Sequence, residues 1–185
     1  MLVREKVRTD TDGCAALMCL THHLDGYPRY LPEDLVAFLN SGAELAGWVV
    51  ESGGEIVGHV ALHDAAGDPT FPAAQAATGL PPERLAVVAR LMVHPKHRRR
   101  GIAQHLLQVT RTYAEQDERR LVLDVLQSSA PAIHLYENLG WQRVAPLTLP
   151  IRAHPPLQLW VYVSPADSKG SALPPPPAEL GTERH

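Results

Sequence analysis

Cysteine is almost missing from this chain: two residues in 185, Cys14 and Cys19. Their separation matches neither a redox pair nor a zinc knuckle. On a helix the two positions point in different directions, so no disulfide between them is expected. Both read as small buried hydrophobes of a reducing compartment. Long apolar runs are missing too, since none approaches the ~20 residues that span a bilayer. The first residues, Met1-Leu-Val-Arg-Glu-Lys-Val-Arg8, are charged throughout and contain no apolar signal-peptide centre. A soluble, cytoplasmic protein with no membrane partner is expected. Net charge is small, with 17 Lys and Arg against 20 Asp and Glu, which argues against coating nucleic acid by bulk electrostatics. Internal repeats are absent. The 45% apolar and 20% charged residues are ordinary for one globular domain with a real core.

Periodicity gives the organisation. Residues 2 to 8 suggest a first strand, and Asp10 or Asp12 could cap a helix carrying Leu17, Leu20 and Leu24. After an irregular segment from His22 to Tyr30, Pro32-Glu33-Asp34 opens a second helix with Leu35, Phe38 and Leu39 as its stripe. Strands Gly47 to Glu51 and Glu55 to Leu62 flank a hairpin at Ser52-Gly53-Gly54. Residues 64 to 83 read as a long loop with one helical turn around Ala73 to Ala77. Leu85 to Val93 is a buried central strand. Ile102, Leu106, Val109 and Tyr113 form one helical stripe. Leu121 to Leu126 is a further strand, and Ser129, Pro131 and Gly140 bound a short helix. Trp141 to Val144 and Leu157 to Val163 complete an α/β fold, parallel at its centre and antiparallel toward its ends. The domain spans residues 1–163, and residues 164–185, with Pro174 to Pro177, read as a loosely attached tail.

The chemistry concentrates in Arg90-Leu-Met-Val-His-Pro-Lys-His-Arg-Arg-Arg-Gly-Ile-Ala103. A buried strand leads through a basic turn into a helix whose first N–H groups lack partners and whose dipole is positive there. Gly101 and Ala103 allow close approach to the backbone, and Lys96, Arg98, Arg99 and Arg100 add charge. This is a cradle for a pyrophosphate. It is neither a Walker loop nor a dinucleotide fingerprint; a solvated basic turn is the alternative. Nucleic-acid binding through Lys96 to Arg100 is disfavoured by the absence of interleaved aromatics.

Arg98-x-x-Gly101-x-Ala103, preceded by Leu91-Met-Val-His-Pro95, resembles the acyl-CoA-binding motif of the GNAT superfamily of N-acetyltransferases. Ala132-Ile-His-Leu-Tyr-Glu-Asn-Leu-Gly-Trp141 resembles that superfamily's second signature. The resemblance covers residues 2 to 163. It implies a mixed, mostly antiparallel sheet with splayed parallel central strands, flanked by helices. It further implies acetyl-CoA as co-substrate, no metal, and an acceptor that is a primary amine. It is compatible with a homodimer.

By the same resemblance, Leu91, Met92 and Val93 would offer backbone hydrogen bonds to the pantetheine arm and the acyl carbonyl. Arg98, Arg99, Arg100, Gly101, Ile102 and Ala103 would hold the pyrophosphate. Ser129 stands where many relatives carry a cofactor-contacting asparagine; it serves equally as a helix cap. Tyr136 matches a tyrosine near the thioester sulfur, as general acid toward the departing thiolate or else as a packing residue. Many relatives place a glutamate just before the cofactor motif, where this chain has Val88-Ala-Arg90, and Arg90 cannot accept a proton. His59, His63, Asp25, Asp64, Glu83 and ordered water are the candidate bases. The paired histidines His22/His23, His59/His63 and His94/His97 lack ligand spacing for a metal. Tyr27, Tyr30 and Phe71, with Asp25, Asp64 and Asp68, could face a cationic acceptor. The leading expectation is an acetyl-CoA-dependent N-acetyltransferase; a non-catalytic acyl-CoA-binding or regulatory module is the alternative.

Overall fold

The computed structural model describes residues 1–166. Strands Leu2–Glu5 (β1), Glu44–Ser52 (β2), Glu55–Asp64 (β3), Leu85–Val93 (β4), Arg120–Leu126 (β5), Gln142–Ile151 (β6) and His154–Val163 (β7) form one sheet, ordered β1-β2-β3-β4-β5-β7-β6. Only β4 and β5 run parallel; the other neighbours are antiparallel. Helices Ile102–Gln116 (α4) and Ala130–Asn138 (α5) cover one face. Thr11–Asp25 (α1), Leu35–Leu39 (α2) and Phe71–Thr78 (α3) cover the other.

Alternation along the strands divides the core accordingly. Val50, Leu62, Val88, Leu121 and Leu123 pack on Ile102, Leu106 and Ala114 of α4. Val49 and Met92 meet Cys14, Leu17 and Met18 of α1, while Val87 and Val122 meet Ala74 of α3. The hairpin forms at Gly53 (φ 62°) and Gly54 (φ 83°), both in the left-handed region that a tight primed turn demands. The α4 stripe is as the spacing predicts, widened by Leu107 and Thr110.

Several expectations need correction. The buried face of α1 runs through Cys14, Leu17, Met18 and Thr21, while Leu24 is 57% exposed. The small Cys14 and Thr21 share that stripe with Leu17 and Met18, so it cannot be traced through the leucines alone. Cys19 lies off the stripe and is exposed, and both cysteines are free. The second helix begins at Leu35, not Pro32, because Asp34 caps it: its carboxylate accepts from the Ala37 N–H at 2.8 Å. The segment from 64 to 83 contains the two-turn α3, ended by left-handed Gly79, and a 3-10 turn at Pro82–Arg84. Alanine favours helix intrinsically, and Ala74 packs without bulk. Strands β6 and β7 are longer than expected; β7 pairs with β5 only from Leu159, so Pro155 and Pro156 lie where β6 is its sole neighbour. Beyond Val163, Ser164 still belongs to the domain, its hydroxyl accepting from Leu121 N–H at 3.2 Å. The remainder of the expected tail, from residue 167, lies outside the described residues.

One part of the core is polar. Lys6 bridges the Leu39 carbonyl and the Glu44 carboxylate. Arg90 stacks on the Phe38 ring at 4.1 Å and donates from Nη1 to His63 Nε2 at 2.7 Å. A guanidinium has no acceptor, so His63 is neutral and protonated on Nδ1. His59 is fully buried; its Nδ1–H donates to the Arg90 carbonyl at 2.9 Å, leaving Nε2 buried without a partner. Burial, with Lys6 and Arg90 nearby, pushes both imidazoles down to about 4.

Two consequences are measurable. A Cβ on Gly58 would come within 3.0 Å of Ile102 Cγ2 and Val50 Cγ2, so Gly58→Ala is expected to cost roughly 1–3 kcal/mol in urea unfolding by forcing α4 off the sheet. For the histidines, the unfolded chain takes up protons near pH ~6.5 but the fold resists until about pH 4. Between those values the unfolded state binds more protons, so stability falls on acidification, by up to about 1.4 kcal/mol per pH unit per histidine. Thermal melts from pH 7.5 to 4.5 should show this slope, and His59→Asn should flatten it.

Candidate active site

The site is built on a parallel pairing that stops early. β4 and β5 are in register at three positions only, Leu85 with Arg120, Ala86 with Leu121 and Val87 with Val122. From Val88 onward β4 is registered with β3 alone. Where the strands part, β4 bulges. Between the pairs His59–Met92 and Ala61–Ala89, β4 has two residues, Arg90 and Leu91, against Val60 alone. Arg90 takes the left-handed conformation, φ 54°. Such an insertion turns over every side chain beyond it. Val88 packs toward α4, and simple alternation would send Arg90 and Met92 the same way. Instead Met92 packs with α1 and α2, while Leu91 and Val93 pack toward α4.

At the end of β4 the chain turns into α4 through Arg99 (φ 58°) and Gly101 (φ 77°). Left-handed residues in such a turn favour an anion nest, and the first amides of α4 have no intrahelical acceptor. A Cβ on Gly101 would meet nothing within 4 Å. A cavity of about 410 Å³ opens here, walled by Val93, Gly101, Ile102, Ala103, Pro131 and Leu135. Arg99 also lines it, and Lys96, Arg99 and Arg100 are exposed. Arg98 lies at the cavity too, but its guanidinium is turned away: both terminal nitrogens bind the Asp25 carboxylate at the end of α1, and Nε donates to the Val93 carbonyl at 3.2 Å. Ser129 sits at the cap position of α5, its carbonyl accepting from Ile133 N–H at 3.0 Å, while its hydroxyl makes no capping bond.

Tyr136 of α5 is 7% exposed and packs in the core beside Trp141 and Tyr162. Burial raises its phenol well above the usual range, and Tyr27 and Asp124 add to the rise. Asp124 is the residue that the sequence did not disclose. Its neighbours Leu123 and Val125 face α4, so Asp124 faces the α1 side, just beyond the last paired position. Its side chain is exposed to solvent. Surrounding protein nevertheless pushes its carboxyl up to about 6, chiefly by withdrawal from water, with Asp68 contributing repulsion. Tyr27, in the loop after α1, has its phenol pushed up to about 12, chiefly by withdrawal from water, with Asp124 adding to the rise and Arg90 opposing it.

The sequence-derived base candidates lie otherwise. His59 is sealed in the core and His63 accepts from Arg90. Asp25 holds Arg98, and Asp64 accepts from Ala66 N–H at 2.8 Å. Glu83 lies in the turn before β4, at the strand end opposite the cavity. Phe71 packs on the α3 side of the core. Among the described residues, no three His, Cys, Asp or Glu side chains are grouped to hold a metal, and no helix is long and apolar enough to cross a membrane.

Solved structures of known proteins share this fold. The chain resembles the ribosomal-protein-S18-alanine N-acetyltransferase of Escherichia coli at 18% identity, over 93% of this chain and 97% of that one, with a TM-score of 0.64. The ribosomal-protein-alanine N-acetyltransferase of Brucella melitensis matches at 18% identity, 89% and 99% coverage, and TM-score 0.65. Arabidopsis thaliana NAA60, solved in complex with acetyl-CoA, matches at 19% identity, 88% and 96% coverage, and TM-score 0.65. At these identities the likeness is one of fold. No curated protein matches at a significant level. The sequence profile of the acetyltransferase (GNAT) family, however, matches residues 16–141, more than half the chain. The mixed sheet, the early parting of β4 and β5 and this match agree: the chain belongs to the GNAT family of acetyltransferases.

Proposed function

We propose that this acetyltransferase is an N-acetyltransferase that moves an acetyl group directly from acetyl-CoA to a primary amine. The observation that carries the reading is the parting of β4 from β5 after Val87, with Asp124 and Tyr136 beside the opening. Acetyl-CoA supplies the activated acyl group. Backbone groups of Leu91, Met92 and Val93 line the route for its pantetheine arm, and the turn from Arg99 to Ala103 supplies amides and charge for its pyrophosphate. Arg98 precedes that turn and Arg100 lies within it. Arg98 reaches the phosphates once it leaves Asp25. Ser129 borders the route at the start of α5.

Asp124 takes the proton from an incoming ammonium, leaving a neutral amine to attack the acyl carbon. A β4 N–H released from pairing with β5 donates to the oxyanion. As the C–S bond breaks, Tyr136 donates its phenolic proton to the thiolate while the nitrogen's second proton passes back to the phenol oxygen, a concerted exchange that the raised proton affinity of the phenol requires. No metal takes part in this scheme. The alternative of a binding module without turnover rested on the missing β4 carboxylate, and a carboxylate on β5 weakens it. A cytoplasmic location and a homodimer are compatible with this reading, and neither is required by it.

Two variants test the roles. Tyr136→Phe should lower kcat roughly 10²-fold or more with acetyl-CoA affinity unchanged; full turnover would remove Tyr136 from the chemistry. In the parent enzyme kcat/KM should fall as pH drops through about 6, because Asp124 must be deprotonated to act. Asp124→Asn should abolish that limb and lower the plateau about 10²-fold, and an unchanged profile would exclude Asp124 as the base.

A further inference from the structure

The bulge that opens the cleft also delivers Arg90 to the acceptor side of the sheet. Asp124 lies two residues past the last parallel pair, Val87 with Val122, on β5, and Ala89 lies two residues past it on β4. Arg90 follows at once, and both it and Asp124 face α1 and α2 rather than α4. The Tyr27 phenol feels the charges of both Asp124 and Arg90.

The charge around Arg90 does not balance. Its side chain is only 10% exposed. The nearest carboxylate, Glu44, lies 3.9 Å from Nη1 and is already engaged by Lys6 at 2.6 Å. His59 and His63 are neutral, so Lys6, Arg90 and Glu44 together leave one surplus positive charge in a sheltered place. Within the guanidinium, Nη1 is satisfied by His63 and Nε is buried without a partner. Nη2 makes no hydrogen bond among the described residues and is not buried, so it is the nitrogen that can reach the opening. A sheltered cation with free donors is costly unless an anion completes it. The partner that suits a guanidinium fork is a carboxylate.

We propose that the acceptor carries a carboxylate beside its amine, bound by Arg90, so that the substrate class is an amino acid or short amino-carboxylate. This rests on the N-acetyltransferase reading above. The carboxylate lies on Arg90 Nη2, the chain passes Tyr27, and the amine reaches Asp124. The amine nitrogen then bonds to the acetyl carbon as the C–S bond breaks. Asp124 takes the first proton of the ammonium and passes it to solvent, Tyr136 gives its proton to sulfur and regains one as the nitrogen sheds its second, and the products are an N-acetylamino acid, free CoA thiol and one released proton.

The test uses the full chain with acetyl-CoA. Each of the common L-amino acids is compared with its decarboxylated amine and its methyl ester, by thiol release and, with CoA present, by thermal shift. For the best substrate, loss of the carboxylate should lower kcat/KM roughly 10- to 100-fold and abolish the rise in Tm. Arg90→Gln should bring the ratio between acid and amine close to one. Equal or better acetylation of the amine or ester, a short peptide preferred over every free amino acid, or a ratio unchanged in Arg90→Gln would each overturn the proposal. If no amine releases thiol, the transferase reading fails, and thermal shift alone decides: a carboxylate-dependent rise lost in Arg90→Gln supports the site, and no rise with any amino acid refutes it. Should Arg90→Gln fail to fold by circular dichroism, the parent protein's discrimination among acid, amine and ester decides.

Discussion

Parallel strands β4 and β5 hold each other over three residue pairs, and what the chain does next determines the rest of the site. A strand that loses a neighbour must leave its backbone groups exposed or aim them at something else. Here the bulge at Arg90 lets β4 keep β3 while it leaves β5. A single left-handed residue bends the strand and reverses the faces of all that follow. Leu91 and Val93 therefore line the side where α4 begins, and Met92 is returned to the core under α1. On the proposed function, one backbone irregularity thus puts the cofactor route on one face and the acceptor side on the other.

Electrostatics follow from the same geometry. With arginine on β4, a carboxylate acting on the amine must come from elsewhere. Asp124 on β5 is placed for it because the strand it might have faced has moved away. Were the strands still paired there, a carboxylate between Val122 and the core would be sealed in and protonated. At the mouth of a cleft it keeps enough water to ionise near neutrality and enough burial to remain a useful base. Arg90, for its part, is tolerable only because Phe38 stacks on it and His63 accepts from it. Both imidazoles are held neutral by that same crowding, so the histidines that look like bases in sequence serve as its scaffold.

Much of this was legible in the residues. The stripe Ile102, Leu106, Val109 and Tyr113, the Gly53-Gly54 turn and the run Leu85 to Val93 announce their elements through local periodicity and turn chemistry. The turn into Gly101 is likewise local. What stayed hidden depends on register. Asp124 interrupts an apolar run, Leu121 to Leu126, that reads as fully buried; only the parting of β4 exposes it. The orientation of Arg90 depends on a bulge that no residue type demands, since arginine gains nothing intrinsic from φ 54°. The α3 helix escaped because alanine and proline in residues 71 to 78 give no apolar stripe, and its packing uses the small side chain of Ala74.

The loop after α1 ties these parts together through contacts far apart in sequence. At its start Asp25 grips Arg98, beside the turn that leads to α4. Further on, Tyr30 stacks on His154 with ring centroids 4.1 Å apart and donates to the Pro155 carbonyl at 3.3 Å. The β6–β7 hairpin can be reached because β7 extends past the end of β5, which pairs only as far as Leu126 with Leu159. Tyr27 sits between these two anchors. The loop therefore spans the end of the parallel pair from the cofactor turn on one side to the overhanging hairpin on the other. Its exposed contacts contribute little energy individually, since surface ion pairs and stacks are each worth about 1 kcal/mol or less. Their effect is positional: a loop fixed at two ends keeps Tyr27 within reach of the charges of Asp124 and Arg90.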